Sequence, residues 1–199
     1  MKAALILLMG AYAASAQNSD LGLLIGISGP SSQTVTGTQV KISGSVGASG
    51  QFNYAMQLKE GTAGRLYLEL PLLIGARASG VEVSGAGVVV TGSVQTGLYF
   101  TPGVRFNFTL HPRVSLYAMG GVGLASFDEN QTVINKGSVA VTTGWTTSFA
   151  GAFGGGLDFR LTRLISLRAE LRDFVSRAGI GLTDGRNHPV FGFGMGFHW

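Results

Sequence analysis

A two-residue alternation runs through nearly the whole chain and limits what it can fold into more than any other feature. It is cleanest at the end, where Phe191, Phe193, Met195, Phe197 and Trp199 are separated by Gly192, Gly194, Gly196 and His198. A period of two sends successive side chains to opposite faces of a β-strand. The same period runs through Leu21, Leu23, Ile25 and Ile27, through Phe52, Tyr54, Met56 and Leu58, and through Leu66, Leu68, Leu70, Leu72 and Ile74. A fourth strand carries Leu98, Phe100, Val104, Phe106 and Phe108, and a fifth Val114, Leu116, Ala118, Val122 and Leu124. Phe149 to Leu161, Ile165 to Phe174 and Val190 to Trp199 supply the sixth, seventh and eighth.

The connections between these strands alternate in length. Residues 30–50, 77–96, 128–147 and 176–188 are long, whereas 59–64, 109–113 and 162–164 are short. In an up-and-down arrangement all long connections gather at one end and all tight turns at the other, which is the asymmetry of barrels that cross an outer membrane. The sequence therefore predicts an all-β fold, an eight-stranded antiparallel transmembrane barrel with long extracellular loops and short periplasmic turns. Pairing the first strand with the eighth removes two edges whose bare amides and carbonyls would each cost several kcal/mol in lipid. Val-rich stretches at 81–90 and 139–141 suggest that some loops continue as β-structure beyond the membrane.

Composition narrows the chemistry. With no cysteine there is no disulfide, no thiolate nucleophile and no Cys-based metal site. Charged residues make up 12% of the chain, about half the roughly 25% of an ordinary soluble domain. Mean hydropathy is +0.32, yet after residue 16 no apolar run is long enough for a membrane-spanning helix, so the hydrophobicity is dispersed in short pieces. The first sixteen residues have the plan of a secretory signal peptide. Lys2 is followed by the apolar Ala3 to Met9 and a small-residue site at Ala14, Ser15 and Ala16. The expected division is a signal peptide over 1–16 and one barrel domain over 17–199. Basic residues are scattered without a run or stripe, so nucleic acid is not an expected partner.

The two faces of the strands differ in kind. Glu69, Arg105, Asp158, Arg160, Arg168, Glu170 and Arg172 all fall opposite the large apolar residues. An Arg directed at lipid near the midplane costs roughly 2–4 kcal/mol, so this face must point into the barrel, where neighbouring glycines leave room for long side chains. The turn at 162–164 centres on Arg163 and sets Asp158 opposite Arg168 as a cross-strand ion pair. Glu69 and Arg105, at similar heights on neighbouring strands, form a second expected pair. Such pairs are expected to be structural, with a gated polar path as the alternative. Tyr54, Tyr99, Phe106, Phe108, Phe127, Phe149, Phe159 and Trp199 are candidates for interfacial aromatic belts.

In this arrangement His111 and His198 are periplasmic and His188 external, so neither a metal site nor a catalytic triad is expected. Gly154 to Gly156 lie within a strand and open no helix, which rules them out as a phosphate loop. No catalytic residue, cofactor or metal is expected.

The terminal alternation Phe191, Phe193, Met195, Phe197, Trp199 and the segments RLYLELPLL (65–73), YAMGGVGLASF (117–127) and LRAELRDF (167–174) resemble the family of small outer-membrane β-barrel proteins typified by the OmpA transmembrane domain and OmpX. The resemblance covers residues 20–199. It implies outer-membrane lipids, periplasmic chaperones and the barrel-assembly machinery as partners, the last reading the C-terminal alternation as its signal. The family's usual terminal residue is Phe, and here it is Trp199. The expected function is that of a non-enzymatic integral outer-membrane barrel with a structural, adhesive or surface-interaction role, its loops open to an extracellular ligand. A narrow channel, an envelope-lipid-modifying enzyme and a soluble lipocalin-like barrel are the alternatives.

Overall fold

The computed structural model describes residues 19–29, 31–34, 40–44, 46–83, 91–135, 138–176 and 187–199. The expected signal peptide lies outside the described residues. In chain order the strands are β1 (Ser19–Ser28), β2 (Ser31–Thr34), β3 (Val40–Gly44), β4 (Gly47–Gly61), β5 (Gly64–Val83), β6 (Thr91–Phe100), β7 (Gly103–His111), β8 (Val114–Asn135), β9 (Ser138–Arg160), β10 (Ile165–Ser176) and β11 (Asn187–His198). All pairings are antiparallel, and β1 bonds to both β4 and β11, which closes the sheet into a barrel of eight staves.

The staves are β1, β4, β5, β6 with β7, β8, β9, β10 and β11. β6 and β7 form one stave because both pair with β5 on one side and β8 on the other, without a change of register across the break. The break falls at Thr101–Pro102, where proline has no amide to offer the ladder. Continuing the β5 register places Thr101 beside Pro71, so two missing donors share one gap. On the β8 side the ladder continues through the break, with Val122 donating its amide to the Pro102 carbonyl at 3.0 Å.

Outward-facing Leu23, Ile25, Phe52, Ile74, Val122, Phe153, Leu171 and Phe193 remain exposed. In water such a surface would drive aggregation, and in a bilayer it is the lipid-facing band. The largest fully buried side chains are instead Arg105, Arg168 and Arg172. This inversion is the physical signature of a membrane barrel and removes the soluble lipocalin-like alternative.

Three of the long connections contain more strand than the sequence predicted. β8 and β9 run 22 and 23 residues, about twice the 9–11 needed to cross the hydrocarbon, and stay paired up to Asn135 and Ser138. The expected loop at 128–147 is largely a hairpin. β2, β3 and the end of β5 form a second extension from the same end. Beyond lipid the outer face need not be apolar, so the alternation that marks a strand fades while the backbone ladder continues.

Candidate functional site

The lumen is filled rather than hollow, and its filling comes in layers. The middle layer is an ion-pair network. Arg168 on β10 stands directly opposite Asp158 on β9 and donates through Nε to Oδ1 at 2.7 Å and through Nη2 to Oδ2 at 2.9 Å. The same guanidinium reaches past the intervening β11 to Asp20 on β1, with contacts of 3.0 and 2.8 Å. Asp20 also lies 2.9 Å from Arg105 Nη2.

Arg105 is opposite Tyr67, one diagonal step from Glu69, and its Nε is 3.6 Å from the Glu69 carboxylate. The expected Glu69–Arg105 pair is therefore a long contact. The closer partner of Glu69 is Arg172, at 2.5 Å from across the lumen. No N–H of Arg105 is aligned for a hydrogen bond. Its guanidinium lies over the rings of Tyr67 and Tyr117, 4.9 and 5.3 Å from their centroids, where the ring quadrupoles attract the cation.

Glu170 accepts from Gln51 Nε2 (2.6 Å), Tyr117 OH (2.8 Å), Arg172 Nε (2.8 Å) and Asn53 Nδ2 (3.4 Å). This multiple bonding is what allows a carboxylate to be buried. Glycine supplies the space, since a Cβ on Gly22 would stand 2.8 Å from Arg168 Nη1.

Of the seven charges singled out in the sequence, the structure brings six together. Arg160 is the exception. It is half-buried at the end of the lumen that carries the short turns and does not join the ion pairs, because β9 ends there and its side chain meets the open mouth. Asp20 was missed, although it shares the inward parity of Gly22 and Leu24 one step before the alternation becomes obvious. Gln51 and Asn53 were visible on the inner face of β4, but nothing local marked them as partners of Glu170.

A second layer lies toward the long-loop end. Leu73, Tyr99, Phe127, Phe174 and Val190 pack with Ala125, Ala150 and Ala152 into a buried apolar cluster. Tyr99 sits 4.6 Å from Phe174 and 5.4 Å from Phe127 between ring centroids. Tyr99 and Phe127 thus leave the expected interfacial belt, because their parity turns them inward. Phe149, Phe159, Phe108 and Trp199 are exposed, as a belt requires. Beyond the cluster, Arg77 Nη2 donates to Ser28 Oγ and to the Gly29 carbonyl, both at 3.0 Å. His188, at the long-loop end of β11, is buried here, 6.3 Å from Tyr99 between ring centroids.

At the other end the structure brings together a serine, a histidine and a carboxylate that the sequence did not point to. Ser166 Oγ is 2.9 Å from His198 Nε2, and His198 Nδ1 is 3.2 Å from Asp20 Oδ2. The order is that of a Ser-His-Asp triad. Barrel closure creates it by bringing β1, β10 and β11 side by side. The sequence separates these residues too widely to reveal it. The Ser166 residue is 0% exposed, and Asp20 is already engaged by Arg168 and Arg105. Among the described residues no group of His, Asp and Glu could hold a metal ion.

The C-terminal alternation seals the barrel. Phe191, Phe193, Met195 and Phe197 oppose Ile27, Ile25, Leu23 and Leu21. Trp199 and Ser19 exchange backbone hydrogen bonds of 2.8 and 3.1 Å.

Three solved structures of similar fold are distant in sequence. OprG from Pseudomonas aeruginosa is 12% identical with a TM-score of 0.58, covering 92% of this chain and 96% of its own. Ail, the attachment invasion locus protein of Yersinia pestis, is 11% identical with a TM-score of 0.51, covering 92% and 99%. The outer membrane protease OmpT of Escherichia coli is 7% identical with a TM-score of 0.53, covering 93% and 98%. The last is an enzyme, so the fold alone does not decide chemistry. No curated protein sequence matches the chain. The family model described as outer membrane protein beta-barrel domain matches residues 2–198. With its inverted packing, its closed eight-stave ladder and that match over nearly the whole length, the chain belongs to the outer-membrane protein β-barrel domain family.

Proposed function

We propose that the protein is a non-enzymatic outer-membrane barrel that anchors an extracellular interaction surface and does not conduct. The observation that carries this reading is the double filling of the lumen. A charge network spanning β1, β5, β7, β9 and β10 lies beneath an apolar layer around Tyr99, Phe127 and Phe174. An ion would have to break paired buried charges and then pass a dry aromatic constriction, each a step of several kcal/mol. The β8–β9 hairpin and the β2–β3–β5 extension supply the surface outside. The partners this reading carries are outer-membrane lipids, the assembly machinery with its chaperones, and a ligand met by the extensions.

Planar-bilayer conductance of the refolded barrel tests the reading, with folding confirmed by the gel shift between unheated and boiled samples. A silent bilayer is the expected result. Steady, salt-dependent channel events altered by Arg105→Gln or Arg168→Gln would replace it with a narrow pore.

A further inference from the structure

The end of the lumen that carries the short turns opens into a vestibule of about 270 Å³. Inward-facing Arg65, Tyr67, Arg160 and His198 line it, with Arg163 from the β9–β10 turn and Trp199 at the rim. Three arginines therefore line one concave space. Arg65 has a partner in Glu60, at 2.9 Å between Nε and Oε1. Among the described residues neither Arg160 nor Arg163 pairs with an acid. Setting the two negative charges of Glu60 and the terminal carboxylate of Trp199 against the three arginines leaves one net positive charge, and the carboxylates deeper in the lumen are already bound by Arg105, Arg168 and Arg172.

We infer that this vestibule is a binding site for a phosphate group. Guanidinium forks bind tetrahedral oxyanions through paired, charge-assisted hydrogen bonds, and Arg160 and Arg163, neither in an ion pair, supply two such forks with a net charge that suits a singly charged phosphate ester. Arg65 and Tyr67, hydrogen-bonded to one another, belong to the same lining, and the cavity is large enough for a phosphate with a substituent. Short turns face the periplasm in barrels of this kind, so two sources can reach the mouth. One is a free periplasmic phosphate, and the other is the headgroup of an inner-leaflet phospholipid bending over the Trp199 rim. The site is independent of whether the lumen conducts, because it lies outside both closing layers.

Trp145 and Trp199 are the two tryptophans of the chain, so Trp145→Phe leaves Trp199 as a reporter within the lining. In octyl glucoside, inorganic phosphate titrated at constant ionic strength against chloride is expected to change Trp199 emission saturably. Arg160→Gln with Arg163→Gln in the same background is expected to weaken the midpoint at least about tenfold. Both positions lie at the strand end and turn, outside the ion-pair network, so the double variant should retain the heat-dependent gel shift. A change linear in phosphate, or an equal midpoint in the double variant, would overturn the site. Repeating the titration in nanodiscs containing phosphatidylglycerol separates the sources. Emission already at its bound value and restored by the double substitution assigns the site to lipid, whereas an undiminished phosphate response assigns it to the free anion. Emission that neither phosphate nor phosphatidylglycerol moves would overturn the proposal.

Discussion

Arg168 and Asp158 face each other across β9 and β10 with two hydrogen bonds of 2.7 and 2.9 Å, and the same guanidinium reaches past β11 to hold Asp20 on β1. One cation thus ties the middle of the sheet to the seam where it closes. Removing it leaves two buried carboxylates short of a partner. Arg168→Ala is expected to lower stability by about 3–5 kcal/mol, the usual cost of breaking a buried pair from one side, as measured by denaturant unfolding in detergent. Asp158→Ala in the same background should recover part of the loss. Strict additivity in that cycle would show that the two residues do not interact.

The two closing layers make conductance a joint property. Phe174→Ala opens the aromatic layer and is expected to cost about 3–5 kcal/mol, as large-to-small core substitutions do. It should leave the bilayer silent, since Arg172, Glu69 and Glu170 still close the lumen below. Adding Arg172→Ala should produce channel events. Conductance from Phe174→Ala alone would show that the charge network is permeable.

Closure at the seam depends on the last three residues. Phe197 and His198 pair with Leu21 and Asp20, and Trp199 with Ser19. Deleting 197–199 is expected to abolish the heat-dependent gel shift and leave the chain unassembled in the periplasm. Normal insertion of that truncation would mean that the Phe191 to Trp199 alternation is not an assembly signal.

The Ser166–His198–Asp20 chain is expected to be structural. Ser166→Ala should cost about 1 kcal/mol, the worth of a hydrogen bond, and the unmodified protein should hydrolyse p-nitrophenyl esters no faster than the detergent blank. Hydrolysis abolished by Ser166→Ala would make the barrel a serine hydrolase.

Strand parity was legible in the sequence because lipid outside and charge inside impose it residue by residue, as at Phe191 to Trp199 and Leu167 to Phe174. The Asp158–Arg168 register was legible as well, since a three-residue turn fixes the pairing on either side of it. Arg160 shows the limit of parity, which assigned its face correctly but could not say that the lumen is already open at that height. Tyr99 and Phe127 show the same limit for aromatics, whose chemistry suits an interface and a core equally.

The sequence by itself determined the all-β architecture, the inward face and the local hairpin register, all of which follow from a period of two and short turns acting over a few residues. Only the tertiary structure decided that Arg172 takes Glu69, that Asp20 completes the network and that Ser166 meets His198. Those contacts cross the lumen or the seam, and their partners are set by the stagger at which eight staves close, a property that no stretch of sequence carries alone.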